Sequence, residues 1–393
     1  MAHRRKILNF QGVIPLRKYH RRLVTILCRS FLTLQTILSF ANPSVAQPLF
    51  SSPPKVDVEI ELMSIVFRLA GSPEFSLPVS PKYLAEINNH FAQFSHHDAV
   101  NLAAKLRSES GVGAESVMEL AILLGVPPTF DPIVQIKENV PGSVLGKSQM
   151  AEFSIALQKF YKEAGCGRFF LDHERMYRSA EMNFRAVAQR VDTVWIRNFY
   201  RGMPQARFSF ILGLANGPKN YAMKISDAQG YEQTYSIVGA SLVDSTGVPS
   251  WDEASLALIL HELNHSFMNG FVASNVYAFE QPGNAILTLV GERLSKPTYR
   301  NWKTMLQESF VRVAVIRYFA GHGSSLDDVR KKIVAEQKNG FVWMDELNDL
   351  MSYYEEHRVE FPTLEAFLPR ISDFHLKLAS SISAKVSQFD AGK

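Results

Sequence analysis

The stretch that most constrains this chain is LALILHELNHSFMNGF, residues 256–271, which places His261, Glu262 and His265 in the order HExxH. On a helix, positions i and i+4 share one face. Two imidazoles at that spacing bind one zinc ion (Zn2+) from the same side, and Glu262, next to His261, reaches a water held there as general base. The flanks fit such a helix. Leu256, Leu258, Ile259 and Leu260 precede the motif, Phe267 and Met268 follow it, and no Pro lies between Trp251 and Gly270. Ser250 or Asp252 is expected to cap the start, with Asp252 and Glu253 suited to the positive end of the helix dipole, and Gly270 to stop it. Leu263 and Asn264 are uncharged, as a buried metal helix requires. The competing reading is a core helix with incidental histidines, which would leave two His and a Glu in need of partners on a buried face.

Two histidines supply only two of the three protein ligands a catalytic zinc normally has. The spacing of Trp302, Met305, Leu306, Val311, Val315 and Phe319 predicts a strong helix, and Glu308 lies on its apolar side. An ionised carboxylate there needs a partner. A metal supplies one, and Arg312, one turn later, supplies another. Glu308 is taken as the third ligand, with Arg312 hydrogen-bonded behind it. A plain Glu308–Arg312 ion pair is the alternative. Glu292, in a polar Gly-Glu-Arg setting beside Lys296-Pro297, and Glu280 are weaker candidates in loop-like surroundings.

Through HELNH and its flanks the chain resembles the zincin metallopeptidases. The metzincin continuation, HExxHxxGxxH, is absent: Met268 stands at the glycine position and Phe271 at the third histidine. The gluzincin arrangement, with a third-ligand Glu on a later helix, is the closer likeness. From Glu61-Leu-Met-Ser-Ile-Val-Phe-Arg-Leu-Ala-Gly71 to the helix around Glu308, the chain also resembles an uncharacterised family of secreted bacterial proteins with a zincin-like motif, a domain of unknown function. That resemblance implies a metallopeptidase and supplies no demonstrated substrate.

The N-terminus reads as a targeting segment. The first 55 residues contain no Asp or Glu, and Arg4, Arg5, Lys6, Arg17, Lys18, Arg21, Arg22 and Arg29 precede an apolar run from Phe31 to Phe40. Ser44-Val45-Ala46 fits the small-x-small cleavage rule, which predicts a signal peptide over residues 1–46 and export to the periplasm or medium with Gln47 first. A mis-assigned start codon would explain the long charged region. An Arg-rich transit peptide and a retained anchor are the other readings; the apolar run is too short for a spanning helix, so no stable membrane insertion is expected after cleavage. Cleavage removes eight of the 42 Lys and Arg, leaving 34 against 38 Asp and Glu, so a formal charge of +4 becomes about −4. The basic excess thus belongs to the leader and gives no argument for a nucleic-acid partner. Of the two cysteines only Cys166 remains, in Gly165-Cys-Gly167, which excludes an internal disulfide and suits a buried structural thiol.

After a Pro-marked linker over 47–55, residues 56–204 read as mostly helical and 205–393 as the metal-binding region. In the first part, Leu62, Ile65, Val66 and Leu69 keep helical spacing up to Gly71, and Tyr83 to Phe94, Val100 to Leu106, Ser116 to Leu124, Ala151 to Ala164 and Phe169 to Ala188 repeat it. Neither the loose His90, His96, His97 cluster nor Asp172-His173-Glu174 has metal-ligand spacing; the second reads as a solvated helix face. Ala206–Gly213, Asn220–Ile225 and Gln233–Ala240 alternate like strands between turns. Gln281-Pro-Gly-Asn284 reads as a loop, and Leu326–Lys338, Met344–Tyr354 and Leu364–Val386 as further helices. The expected class is α+β: a mainly helical, zincin-like fold with a small sheet preceding the HExxH helix.

The expected chemistry is hydrolysis of a peptide bond in a peptide or protein substrate. His261, His265 and Glu308 hold the metal, and Glu262 acts as base and then as acid toward the leaving amine. Tyr299, Arg312, Tyr318 and His322 are the candidate donors for the oxygen that gains charge. Two other readings stay open on the residues alone: a catalytically silent secreted binding protein on the same scaffold, and a hydrolase of non-peptide amides.

Overall fold

The computed structural model describes residues 52–77, 79–130, 146–201, 206–226, 232–294, 299 and 301–391. The leader, its cleavage site and most of the expected linker lie outside the described residues. Among the described residues no helix is long and apolar enough to cross a membrane.

A two-residue strand β1 (Lys55–Val56) opens the fold. Helices α1 (Val58–Leu69), α2 (Pro81–Phe91), α3 (Asp98–Ser110), α4 (Ala114–Leu123), α5 (Lys147–Glu163), α6 (Cys166–Ala188) and α7 (Thr193–Tyr200) follow. Then come strands β2 (Ala206–Gly213), β3 (Tyr221–Ser226) and β4 (Glu232–Gly239), with a small ribbon of β5 (Leu242–Val243) and β6 (Pro249–Ser250). Six helices complete the chain: α8 (Glu253–Ser274), α9 (Val276–Val290), α10 (Trp302–Gly321), α11 (Leu326–Lys338), α12 (Met344–Glu356) and α13 (Leu364–Ala391). The fold is mainly helical with small sheets, in keeping with the α+β expectation.

The main sheet has the order β1-β2-β4-β3. β1 and β4 run parallel to β2, with Val56 opposite Leu212 and Leu212 opposite Val238. β3 runs antiparallel to β4, with Met223 opposite Tyr235, and forms one edge. The strand loop that carries Lys219 and Asn220 is set by close packing. A Cβ on Gly239 would stand 2.6 Å from the Lys219 carbonyl oxygen, so only glycine lets the loop lie against the end of β4. The Gly239 N–H donates to Asn220 Oδ1 at 3.0 Å, which fixes the position of that loop.

A second anchor is the carboxyl of Glu61 on α1, which is fully buried. It accepts hydrogen bonds from the Leu214 and Ala215 amides at 2.5 and 3.2 Å, and from the Tyr83 hydroxyl at 2.8 Å. Burial pushes its pKa up to about 7, with those hydrogen bonds opposing the rise. Sequence periodicity gives no hint of this role, because it depends on a loop some 150 residues away.

α8 starts at Asp252, whose side chain accepts from the Ala254 and Ser255 amides while the Ser255 hydroxyl meets the Asp252 N–H. It does not stop at Gly270: Phe271 and Val272 are buried, and their packing carries the helix to Ser274. Its main partner is α10, and it also touches α6 and β2. Leu256, Ile259, Leu260, Leu263 and Met268 of α8 join Met305, Leu306, Phe310 and Val311 of α10 in one core that runs through the whole described fold. Each such buried side chain contributes about 2 kcal/mol before entropy.

The expected loop at Gln281–Asn284 is instead the middle of α9, with Pro282 inside the helix. Gly283 explains the composition. A Cβ there would meet Trp302 at 3.1 Å and Leu306 at 3.2 Å, so the small residue serves close approach of α9 to α10 rather than a turn. Cys166 is buried, and burial raises its thiol pKa to about 12, which makes it an inert structural thiol.

His375 on α13 is fully buried among Phe279, Phe310 and Phe374, with ring centroids 5.5, 5.4 and 5.0 Å away. Its Nδ1 lies 2.8 Å from the Ile371 carbonyl oxygen, and its Nε2 has no hydrogen-bond partner among the described residues. Burial lowers its pKa to about 4. The unfolded chain takes up a proton near pH 6.5 that the folded chain refuses until about pH 4. The stability this group supports is therefore complete above pH 6.5 and falls by about 3 kcal/mol on going down to pH 4. Urea unfolding at both pH values should show that loss in the wild type and a loss smaller by about that amount in His375→Phe. Equal losses would remove His375 from the account.

Candidate metal centre

α8 projects His261 and His265 from the same face, and α10 crosses that face with Glu308. The His265 Nε2 lies 3.3 Å from Glu308 Oε1, the His261 Nε2 lies 3.6 Å from Glu308 Oε2, and the two Nε2 atoms are 3.2 Å apart. Two ligand atoms about 2.0–2.2 Å from a tetrahedral zinc stand about 3.3–3.6 Å from each other. The two histidines and each histidine's nearer Glu308 oxygen stand close to that separation, one ligand atom from each residue lies within 4.8 Å of the others, and this His-His-Glu group can hold a metal ion. It is the group of metal-ligating residues found among the described residues, and it brings together the three positions expected from the sequence.

The surroundings aim these donors. His265 Nδ1 lies 3.1 Å from Asn269 Oδ1, so an Nδ1–H donated there leaves the Nε2 lone pair facing His261 and Glu308. The Asn269 carbonyl in turn accepts from Gln307 Nε2 at 3.2 Å, which ties α8 to the residue beside Glu308. Asn269 lies one turn after His265, so helical spacing held a signal for it that the sequence reading did not use. On the far side of the motif, buried Asn264 accepts from the Tyr200 hydroxyl at 2.6 Å and holds α8 to α7.

Glu308 is 7% exposed, and burial alone would raise its pKa. Hydrogen bonding to His265 and the charges of His261, His265 and Arg312 outweigh that cost and hold it at about 2. The same pairing raises the His265 pKa against the effect of its burial. The carboxylate is thus ionised at neutral pH, the form a metal needs.

Arg312 makes the contact to Glu308 expected from the sequence, and two more. Its Nη2 lies 3.3 Å from Glu308 Oε2 and 3.1 Å from the Tyr299 hydroxyl, while its Nη1 donates to Glu336 Oε2 on α11 at 2.5 Å. Glu336 escaped the sequence reading because nothing local to α11 marks it. With Arg312 anchored on Glu336, Glu308 shares its Oε2 between that guanidinium and His261.

The centre opens on a cleft of about 670 Å³ walled by α8, α10 and α11, with Lys219 and Asn220 from the strand loop. His261, Glu262, Tyr299 and Arg312 line it. Tyr318 and His322 are engaged elsewhere. The Tyr318 hydroxyl accepts from the Asp192 N–H at 2.7 Å and donates to the Arg190 carbonyl at 3.1 Å, and the His322 ring stacks on Tyr318 with Nε2 3.2 Å from Asp192. Glu280 and Glu292 are exposed and lie outside the metal group.

Two histidines of the loose cluster have structural work. His90 Nε2 lies 2.8 Å from the Ala164 carbonyl, and His97 caps α3 by accepting from the Ala99 N–H. Asp172 and Glu174 are exposed as expected, but His173 between them is half-buried, with Nε2 2.9 Å from Glu86.

Neither the curated proteins nor the solved structures contain a match to this chain. Residues 55–373 match the model of one family, a span that runs from β1 into α13 and includes the whole His-His-Glu group. The chain belongs to that family, a domain of unknown function (DUF4932).

Proposed function

We propose that the His261, His265 and Glu308 centre binds zinc and that the cleft hydrolyses peptide bonds, on a zincin-like scaffold of the gluzincin type. The observation that carries this reading is the convergence of three donor side chains, one ligand atom from each within 4.8 Å of the others, beside an open cleft lined by His261 and Glu262. Bound zinc would supply Lewis acidity, lowering the pKa of a water from about 16 toward about 7 and polarising the scissile carbonyl.

The chain's own residues do the rest. Glu262 takes the proton of the attacking water and returns it to the amine that leaves. The Tyr299 hydroxyl, accepting from Arg312, is oriented as the donor to the oxygen that gains charge. Among the described residues β3 is the sheet edge next to Asn220, along which an extended peptide can lie as an added strand. The acid-free leader supports the same protein acting after export.

The test is metal dependence. Purified protein should carry one zinc per chain and cleave unfolded casein or a mixed peptide library. Chelation should abolish cleavage, and added zinc should restore it. Protein that binds one zinc and cleaves no member of such a library would sink the hydrolytic reading and leave a metal-binding protein.

A further inference from the structure

The charges around the cleft do not cancel. With a divalent ion in the centre, Glu308 and Glu262 balance its two charges, and Glu336 balances Arg312. The remaining charged side chains of the lining are Lys219 and Lys332. Lys219 is exposed and also lies in the field of Glu74. Lys332 is better defined. It is half-buried, and its ammonium sits 4.1 Å from the centroid of the Phe319 ring, which holds it over the end of α10. Asp328, one turn earlier, affects it only through space, since the Asp328 carboxylate is bonded to Ser325 and Lys331.

Distance along the helix places this charge relative to the chemistry. α10 and α11 run antiparallel, with Arg312 beside Glu336 near the centre and Phe319 beside Lys332 further on. At a rise of ~1.5 Å per residue, Phe319 lies about 16 Å along α10 from Glu308. An extended peptide advances about 3.3 Å per residue, so that span takes about four or five residues. Leu258, Val315, Ile316 and Ala335 make the intervening wall apolar.

We propose that substrates of this cleft carry a carboxylate about four or five residues to one side of the scissile bond, bound by Lys332, with apolar side chains between; this rests on the hydrolytic reading above. The carboxylate is that of an acidic side chain or of the peptide's own C-terminus.

The test uses zinc-loaded full-length protein and peptides with an apolar centre. In one set, C-terminally amidated, a single Glu or its matched Gln is moved from two to six residues out on either side. A second set carries Gln with a free C-terminal acid. Binding is read by fluorescence anisotropy on Glu262→Gln, so that it does not depend on turnover, and cleavage is read on the wild type. At low ionic strength Glu at the fourth or fifth position on one side should bind and be cleaved about fivefold better than Gln, the advantage fading in about 0.5 M salt. Lys332→Glu should abolish or invert that ratio, while Lys331→Glu, a control outside the cleft, should keep it.

Preference for the free acid over its amide at the matching distance would identify the C-terminus as the source. Equal binding of Glu and Gln at every position overturns the proposal, as does a preference that survives Lys332→Glu. A Glu preference in binding with no peptide cleaved would keep the carboxylate site and remove the hydrolytic reading.

Discussion

Glu262→Gln is expected to fold, to keep its zinc and to lose turnover by about a hundredfold or more, the scale of removing a general base. The substitution preserves size and hydrogen-bonding capacity but leaves no group to accept a proton at neutral pH. Glu262 is half-buried on the cleft wall one residue from His261, and it is not part of the His-His-Glu group, so its loss takes away no donor atom. Three measurements on one sample separate the possibilities: circular dichroism for the fold, zinc content for the centre, and kcat on a fluorogenic peptide. Unchanged kcat with zinc in place would put water activation on another residue.

The second large effect concerns the third donor. Glu308→Ala removes one of the three proposed ligand side chains and should weaken zinc binding by more than about a hundredfold. Arg312→Ala leaves all three donors but removes the guanidinium that shares Glu308 Oε2, and about a tenfold weakening is expected, as for outer-shell partners of metal ligands. Glu292→Ala should change nothing. The contrast between Glu308 and Arg312 decides the matter, because the structure shows both the ion pair and the metal-like cluster. If the pair alone mattered, the two variants would lose similar stability and both would keep zinc. Equilibrium dialysis against a competing chelator gives the three constants, and full occupancy in Glu308→Ala would place the third ligand elsewhere.

How much of this was legible beforehand depended on whether a residue's role is local. His261, Glu262 and His265 were legible because their relation is one of helical spacing within a single element. Glu308 was legible as an anomaly, a carboxylate on an apolar face. The three longer strands showed their alternation, but β1 did not, since two residues are too short to carry a period; its place in the sheet comes from pairing with Ile211 and Leu212. Pro282 and Gly283 read as a loop because composition alone does not distinguish a loop from a tight helix crossing. Glu61, Asn264 and Glu336 act through partners more than twenty residues away in the chain. Local sequence holds no record of such pairings.

The division of the donors between two helices has a consequence for when the centre exists. α8 alone carries a pair of histidines, which any flexible peptide of this sequence also has, and such a pair holds zinc weakly. The third donor arrives only when α10 has docked, through the packing of Leu263 and Met268 against Met305, Leu306 and Phe310. If the centre binds zinc as proposed, docking and tight metal binding are one linked equilibrium, and free zinc at about a hundred times its dissociation constant would favour the docked state by about 2.7 kcal/mol. On the proposed reading of an exported hydrolase, a chain threaded across a membrane unfolded would carry its chemistry in two disconnected halves. On the proposed reading such a protein would be latent in the compartment that makes it, and folding itself would be the step that arms it.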